Sequence, residues 1–96
     1  APVQVALLPL ADRHVDACKA LAAKITAAGG RVEVYTQNEP MRVKIAKAQA
    51  EKIPYMGVIG DKELEQGGVS IRERHEGDQG VWSEEKLLDI IREAAL

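Results

Sequence analysis

Residues 3–10 (VQVALLPL) form an almost unbroken apolar run, the pattern of a strand covered on both faces. Val15, Cys18, Leu21, Ala22 and Ile25 then recur at helical spacing, while Asp16, Lys19 and Lys24 fall elsewhere around the turn. Asp12 is expected to cap this helix and the Gly29–Gly30 pair to end it. Residues 31–35 (RVEVY) alternate as a half-covered strand does. In the second helix, Asn38 is the expected N-cap and Pro40 suits a first turn. Met41, Ile45, Ala48 and the stem of Lys52 form its apolar face, and Arg42, Lys44 and Lys47 a basic side. Pro54 stops it, and residues 55–60 (YMGVIG) are a third apolar strand.

Strand, helix, strand, helix, strand reads as two right-handed crossovers, hence three parallel strands with the first in the centre. Residues 61–65 (DKELE) read as a charged turn. Residues 69–74 (VSIRER) alternate, with Val69 and Ile71 on one face and Ser70, Arg72 and Arg74 on the other. Gly77, Asp78 and Gly80 read as a turn before a short edge strand at Val81 and Trp82. Ser83 is placed to cap a last helix, with Glu84 and Glu85 near its positive end and Leu87, Leu88, Ile91 and Ala94 as its apolar face. The predicted architecture is α/β: a three-layer α/β/α sandwich, with a mixed sheet of four or five strands and three helices. In such open sheets ligands bind beyond the carboxyl ends of the parallel strands, here residues 9–13, 35–41 and 60–65.

The 96 residues suit one domain. Phe is absent and there are one Trp and two Tyr, so the core must be mainly aliphatic, as suits helices on a mostly parallel sheet. A formal net charge of −2 argues against a protein held to nucleic acid or membrane by bulk positive charge, and leaves recognition through a few placed basic groups. Cys18 is the only cysteine, so no internal disulfide forms and a reducing, cytoplasmic setting is the natural expectation. No run reaches the ~20 apolar residues needed to cross a bilayer, and the first ten residues lack the basic start of a signal peptide. The chain opens on Ala1, not Met, and is expected to be one domain of a longer protein.

Asn38, Glu39, Glu63, Glu65, Arg72 and Arg74 can converge on the carboxyl edge of the sheet. Amide, carboxylate and guanidinium groups together suit the hydrogen-bonding edges of bases. From spacing alone, a solvated rim in which Asn38 caps a helix and Glu63 sits in a turn is the favoured description. Arg42, Lys44 and Lys47 either meet phosphates or form a solvated helix side. His14 and His75 have no partners at metal-ligand spacing and are expected at the surface or in caps. Cys18 is expected as an inert core thiol. Gly-x-Gly-x-x-Gly and Gly-x-Ser-x-Gly are both missing, so the chain shows no phosphate loop and no nucleophile elbow.

Three segments, APVQV at 1–5, RVEVYTQNE at 31–39 and KIPYMGVIGDKELEQGGVSIRER at 52–74, together resemble the C-terminal anticodon-binding domain of the threonyl-tRNA synthetases. Ile53-Pro54-Tyr55-Met56 followed by Gly60-Asp61-Lys62-Glu63 separates the threonyl enzymes from their prolyl, histidyl and glycyl relatives. The resemblance implies the anticodon-binding-domain fold of class II synthetases, a mixed five-stranded sheet with three helices. It implies an RNA-binding module without catalysis of its own. Such a module reads the anticodon loop of threonine tRNA, chiefly the second and third bases, G and U, while a separate domain joins threonine to the tRNA using ATP. Asn38, Glu63 and Arg72 match positions that contact those bases, and Lys44 a commonly basic position behind them. No cofactor is implied here; ATP and zinc belong to the parent's catalytic domain. The parent is implied to be a cytoplasmic homodimer, with no DNA or membrane partner.

The family usually has an acidic residue at Tyr35, Arg at Gln37, Lys at Pro40 and Gly at Arg42. Two cations are lost and one Arg gained, so Tyr35, Glu39 and Arg42 join the candidate contacts. Tyr35 is expected to offer a ring face for base stacking, the other reading being a ring packed against the neighbouring helix. Fewer cations predict weaker, less base-selective binding with a shallow salt dependence. The second functional reading is a domain that has lost tRNA recognition and serves protein interaction or dimerisation. A stand-alone α/β enzyme is the third.

Overall fold

The structure is a computed structural model that describes residues 3–36 and 39–95. The chain runs β1 (Val5–Pro9), a 3-10 turn (Asp12–His14), α1 (Val15–Ala27), β2 (Val32–Val34), α2 (Met41–Ala50) and β3 (Tyr55–Ile59). It continues through α3 (Asp61–Gln66), β4 (Gly68–Glu73), β5 (Gly77–Ser83) and α4 (Glu84–Ala95). The sheet order is β2-β1-β3-β4-β5. β1 runs parallel to β2 and β3, with Val5 opposite both Val32 and Tyr55. β4 is antiparallel to β3, and β5 to β4.

The continuous apolar run in β1 has a direct cause: the strand is central and helices cover both its faces, so all five residues are buried. On one face Val5, Leu7, Ile59, Val69 and Ile71 pack with Cys18, Leu21 and Ile25 of α1 and Leu87 and Ile91 of α4. Trp82 joins this layer, tilted at 54° against Tyr55 with ring centres 5.9 Å apart. On the other face Ala6, Leu8 and Met56 pack with Tyr35, Ala48 and Ile53, beneath α2. The three layers and the five-stranded mixed sheet agree with expectation.

Local departures have identifiable reasons. Residues 61–65, read as a charged turn, belong to a helix, which makes four α-helices where three were expected. α3 carries no apolar period; local capping holds it. Glu63 Oε1 accepts the Gly60 N–H at 2.7 Å, Asp61 and Glu63 sit in the positive first turn, and Gly67 ends the helix in the left-handed region at φ 68°. Residues 77–80, read as a turn, lie in β5, and the turn falls at 74–76. The pairing slips between Ile71, opposite Gly80, and Arg72, opposite Asp78, so Gln79 is the extra residue of a bulge. Asp12 does not cap α1; it lies in the 3-10 turn, where the Ala11 N–H is donated to His14 Nδ1 at 3.0 Å. Ser83 does cap α4, accepting the Lys86 N–H at 3.1 Å. Lys52 lies past the end of α2 in the left-handed region, φ 61°, and is exposed, so its stem adds nothing to the apolar face. Among the described residues no helix is long and apolar enough to cross a membrane.

Candidate nucleic-acid interface

The sequence placed a ligand site beyond the carboxyl ends of β1, β2 and β3, near the point where strand order reverses. Between β1 and β3 the structure closes it. Leu10 packs against Gly60 so tightly that a Cβ there would lie 2.3 Å from Leu10 Cδ1. Asp61, at the start of α3, bridges back to the turn after β1: Oδ2 meets Arg13 Nη2 at 2.5 Å and Oδ1 accepts from Arg13 Nε at 3.1 Å. His14 is 2% exposed, and because its Nδ1 accepts from Ala11, the ring proton lies on Nε2 and is donated to Asp61 Oδ1 at 2.7 Å. The bonds from Arg13 and then His14 hold the Asp61 carboxyl well below the usual carboxylate range. The same bond raises Arg13.

What stays open is the half of the second face beyond α2. Register puts Ser70 opposite Val58 and Arg72 opposite Met56, so both point to the α2 side of the sheet. No bulky residue covers them: Arg72 is exposed and Val81, opposite Ser70, is 44% exposed. Arg72 faces Asp78 across β5 without an ion pair, and Asp78 Oδ1 accepts the Gly80 N–H at 2.8 Å. Glu63 stands at the upper end of this surface, 7% exposed, with Oε2 3.4 Å from Ser70 Oγ. A fixed acceptor and an unengaged guanidinium therefore share one face.

The remaining candidates divide. Glu39 is held by Lys47 Nζ at 2.6 Å. Arg42 is exposed on α2. Lys44, grouped by sequence with a solvated basic side, is 7% exposed and turned inward. Its signal was present in the spacing, since Lys44 lies three residues after Met41 and four before Ala48, on the covered stripe. Tyr35 corrects the stacking expectation: it is 8% exposed among Ala6, Leu8, Ala48, Ile53 and Met56, and its hydroxyl donates to Glu51 Oε2 at 3.3 Å. A ring so enclosed has no flat face for a base. Burial, with the charges of Glu51 and Glu33, pushes its hydroxyl up to about 12. Glu65 is exposed on α3, and Arg74 lies in the turn at the opposite end of the sheet, where its N–H bonds Pro54 O at 2.8 Å. Asn38 and Gln37 lie outside the described residues. Sequence reasoning missed Arg13, His14 and Asp61 as a unit, because nothing in a one-dimensional pattern links positions 47 apart.

An open groove of about 450 Å³ runs between β2 and α2, with Glu33, Lys47 and Glu51 on its walls. Among the described residues no group of three or more His, Cys, Asp or Glu is placed to hold a metal ion.

Helices on both faces of a β2-β1-β3-β4-β5 sheet, with one half-face left uncovered, define a small three-layer α/β module. The family profile described as "Anticodon binding domain" matches residues 4–94, and the chain belongs to that family. It is 49% identical over 83 residues, 86% of the chain, to the threonine–tRNA ligase of Desulforamulus reducens. To that of Caldanaerobacter subterraneus subsp. tengcongensis it is 40% identical over 96 residues, 99% of the chain. The chain spans 13% and 15% of those two relatives. Among solved structures, the RNA binding domain of threonyl-tRNA synthetase from Cryptosporidium parvum Iowa II superposes with a TM-score of 0.89 at 21% identity, over 97% of this chain and 24% of that one. Histidyl-tRNA synthetase from Nostoc sp. PCC 7120 gives 0.89 at 18%, over 100% and 23%. Those two likenesses speak to the fold.

Proposed function

We propose that this chain is the anticodon-reading domain, residues 1–96, of a longer cytoplasmic threonine–tRNA ligase. It binds the anticodon loop of threonine tRNA. The parent's separate catalytic domain, with ATP and zinc, joins threonine to the tRNA, and the parent works as a homodimer. The observation that carries the reading is the open half-face on which Glu63 and Arg72 stand together. Splayed anticodon bases present donors and acceptors on their polar edges. A buried carboxylate accepts from base N–H groups, and a guanidinium donates two bonds to adjacent acceptors, as in guanine readout. A wrong base leaves one of these groups unpaired, at a cost of about 1–3 kcal/mol. The 40% and 49% identities to threonine–tRNA ligases favour threonine tRNA.

Filter binding of the chain to a panel of anticodon stem-loops tests this. The threonine stem-loop binds more tightly than versions altered at the second or third anticodon base. Arg72→Ala weakens it by about 1–3 kcal/mol if the contact is bidentate. Gln37 and Pro40 stand where the family usually has Arg and Lys, so fewer phosphates are met at this loop and the salt slope is shallow. Equal affinity for every stem-loop would remove the base-reading role, and binding to none would favour a protein-interaction module.

A further inference from the structure

α3 has almost no packing of its own to fix it. Of its six residues only Glu63 is buried, and Leu64 is 47% exposed. A helix this short does not hold its shape alone. Its start is held from outside, by the turn after β1. His14 is buried, its Nδ1 accepts the Ala11 N–H, and its Nε2 donates to Asp61 Oδ1 at 2.7 Å. Arg13 donates to both oxygens of the same carboxylate. Directly before Asp61 stands Gly60, whose N–H is donated to Glu63 Oε1 at 2.7 Å, while Glu63 Oε2 lies 3.4 Å from Ser70 Oγ of β4. The Glu63 carboxylate therefore sits where the Gly60–Asp61 junction and β4 place it. The Arg13 and Asp61 side chains are 68% and 61% exposed, and an ion pair so exposed adds little stability. Its effect is on placement: groups that meet a ligand keep their geometry only when neighbouring hydrogen bonds lock them.

We propose that Arg13, His14 and Asp61 are positioning residues for base selectivity: they fix the start of α3, and through Gly60 they fix the carboxylate that Glu63 presents to an anticodon base, without touching the RNA themselves. The inference rests on the reading of Glu63 as a base contact above. It makes selectivity at one anticodon position depend on a contact between the turn after β1 and α3, away from the open half-face.

The test is titration of the threonine anticodon stem-loop, and of versions altered at the second or third anticodon base, into the chain and its variants across a range of salt, at a temperature where melting shows each variant folded. Glu63→Gln identifies the anticodon position that Glu63 reads, as the one where preference is lost. Asp61→Ala is expected to lower preference at that same position by about fivefold or more, the low end for a hydrogen bond lost, with the salt slope unchanged. Asp61→Asn keeps an oxygen for His14 Nε2–H and is expected to recover part of the preference. In the Glu63→Gln background Asp61→Ala is expected to add nothing, because the two substitutions act through one carboxylate. Unaltered preference in a folded Asp61→Ala, while Glu63→Gln loses it, overturns the positioning role alone. So does Arg13→Ala with a salt slope lower by about one and preference kept, which would make Arg13 a phosphate contact. A parent chain with no preference among stem-loops, or a Glu63→Gln variant that keeps it, overturns the base-reading role of Glu63 and this inference together.

Discussion

On one face of the sheet Leu7, Ile71, Leu87 and Ile91 are at most 1% exposed, and Trp82 closes the end of the layer. On the other face α2 covers Ala6, Leu8 and Met56, while Arg72 and Val81 on the next two strands stand in solvent. Both faces are made of the same strands and the same alternation. They differ in how far a helix reaches. Two helices cross the first face and one crosses the second, and the uncovered half leaves hydrogen-bonding groups in solvent. On the proposed function, stability and recognition are divided between faces, and a substitution can disturb one with little effect on the other.

The sharpest break of that comparison is Trp82→Ala. The ring is 8% exposed, packs on Tyr55 and lies 4.7 Å beneath Lys86 Nζ. Its loss is expected to cost ~3–5 kcal/mol in denaturant unfolding, whereas Arg72→Ala stays within about 0.5 kcal/mol. Comparable costs for the two would dissolve the division between faces. Next comes His14→Ala, at the strap that ties the turn after β1 to α3. It leaves the Ala11 N–H without its acceptor and Asp61 without one donor, for about 1–3 kcal/mol measured by thermal melting. An unchanged melt would mean the strap is idle.

Alkali probes one acid on each face. Burial raises the Cys18 thiol, on the covered face, from 9.0 to about 11, and the Tyr35 hydroxyl, under α2, from 10.0 to about 12. The folded state then holds protons that the unfolded chain has released. Stability is complete below pH 9 and falls as pH rises through 11 for Cys18 and through 12 for Tyr35. Cys18→Ala removes the lower step and Tyr35→Phe the upper one in unfolding curves taken from pH 8 to 12; a parent whose stability is level across that range contradicts both. The smallest effect is expected at Lys52, left-handed at φ 61° just past α2. Lys52→Gly relieves that conformation and raises stability by up to about 1 kcal/mol, read as a shifted denaturation midpoint. A decrease would show that the Lys52 side chain contributes more than its backbone costs.

The sequence by itself determined the layers. Residues 5–9 and 55–59 are apolar without interruption because both faces of those strands are covered, and α1 and α4 show their stripes because periodicity is a local property of the chain. Arg72 was legible too, since alternation with Val69 and Ile71 assigns its face. α3 was not, because six residues held by a capping carboxylate and a left-handed glycine carry no hydrophobic period. Only the tertiary structure decided what each polar residue faces. Glu63 becomes a buried acceptor through Gly60 and Ser70, His14 and Arg13 find Asp61 across the sheet's edge, and Tyr35 turns from a candidate stacking platform into core. Lys44 had the spacing of a covered position but the chemistry of an exposed one, and the structure turns it inward. Hydrogen-bond partners and open faces depend on where distant segments cross, and distance along the chain carries no record of that.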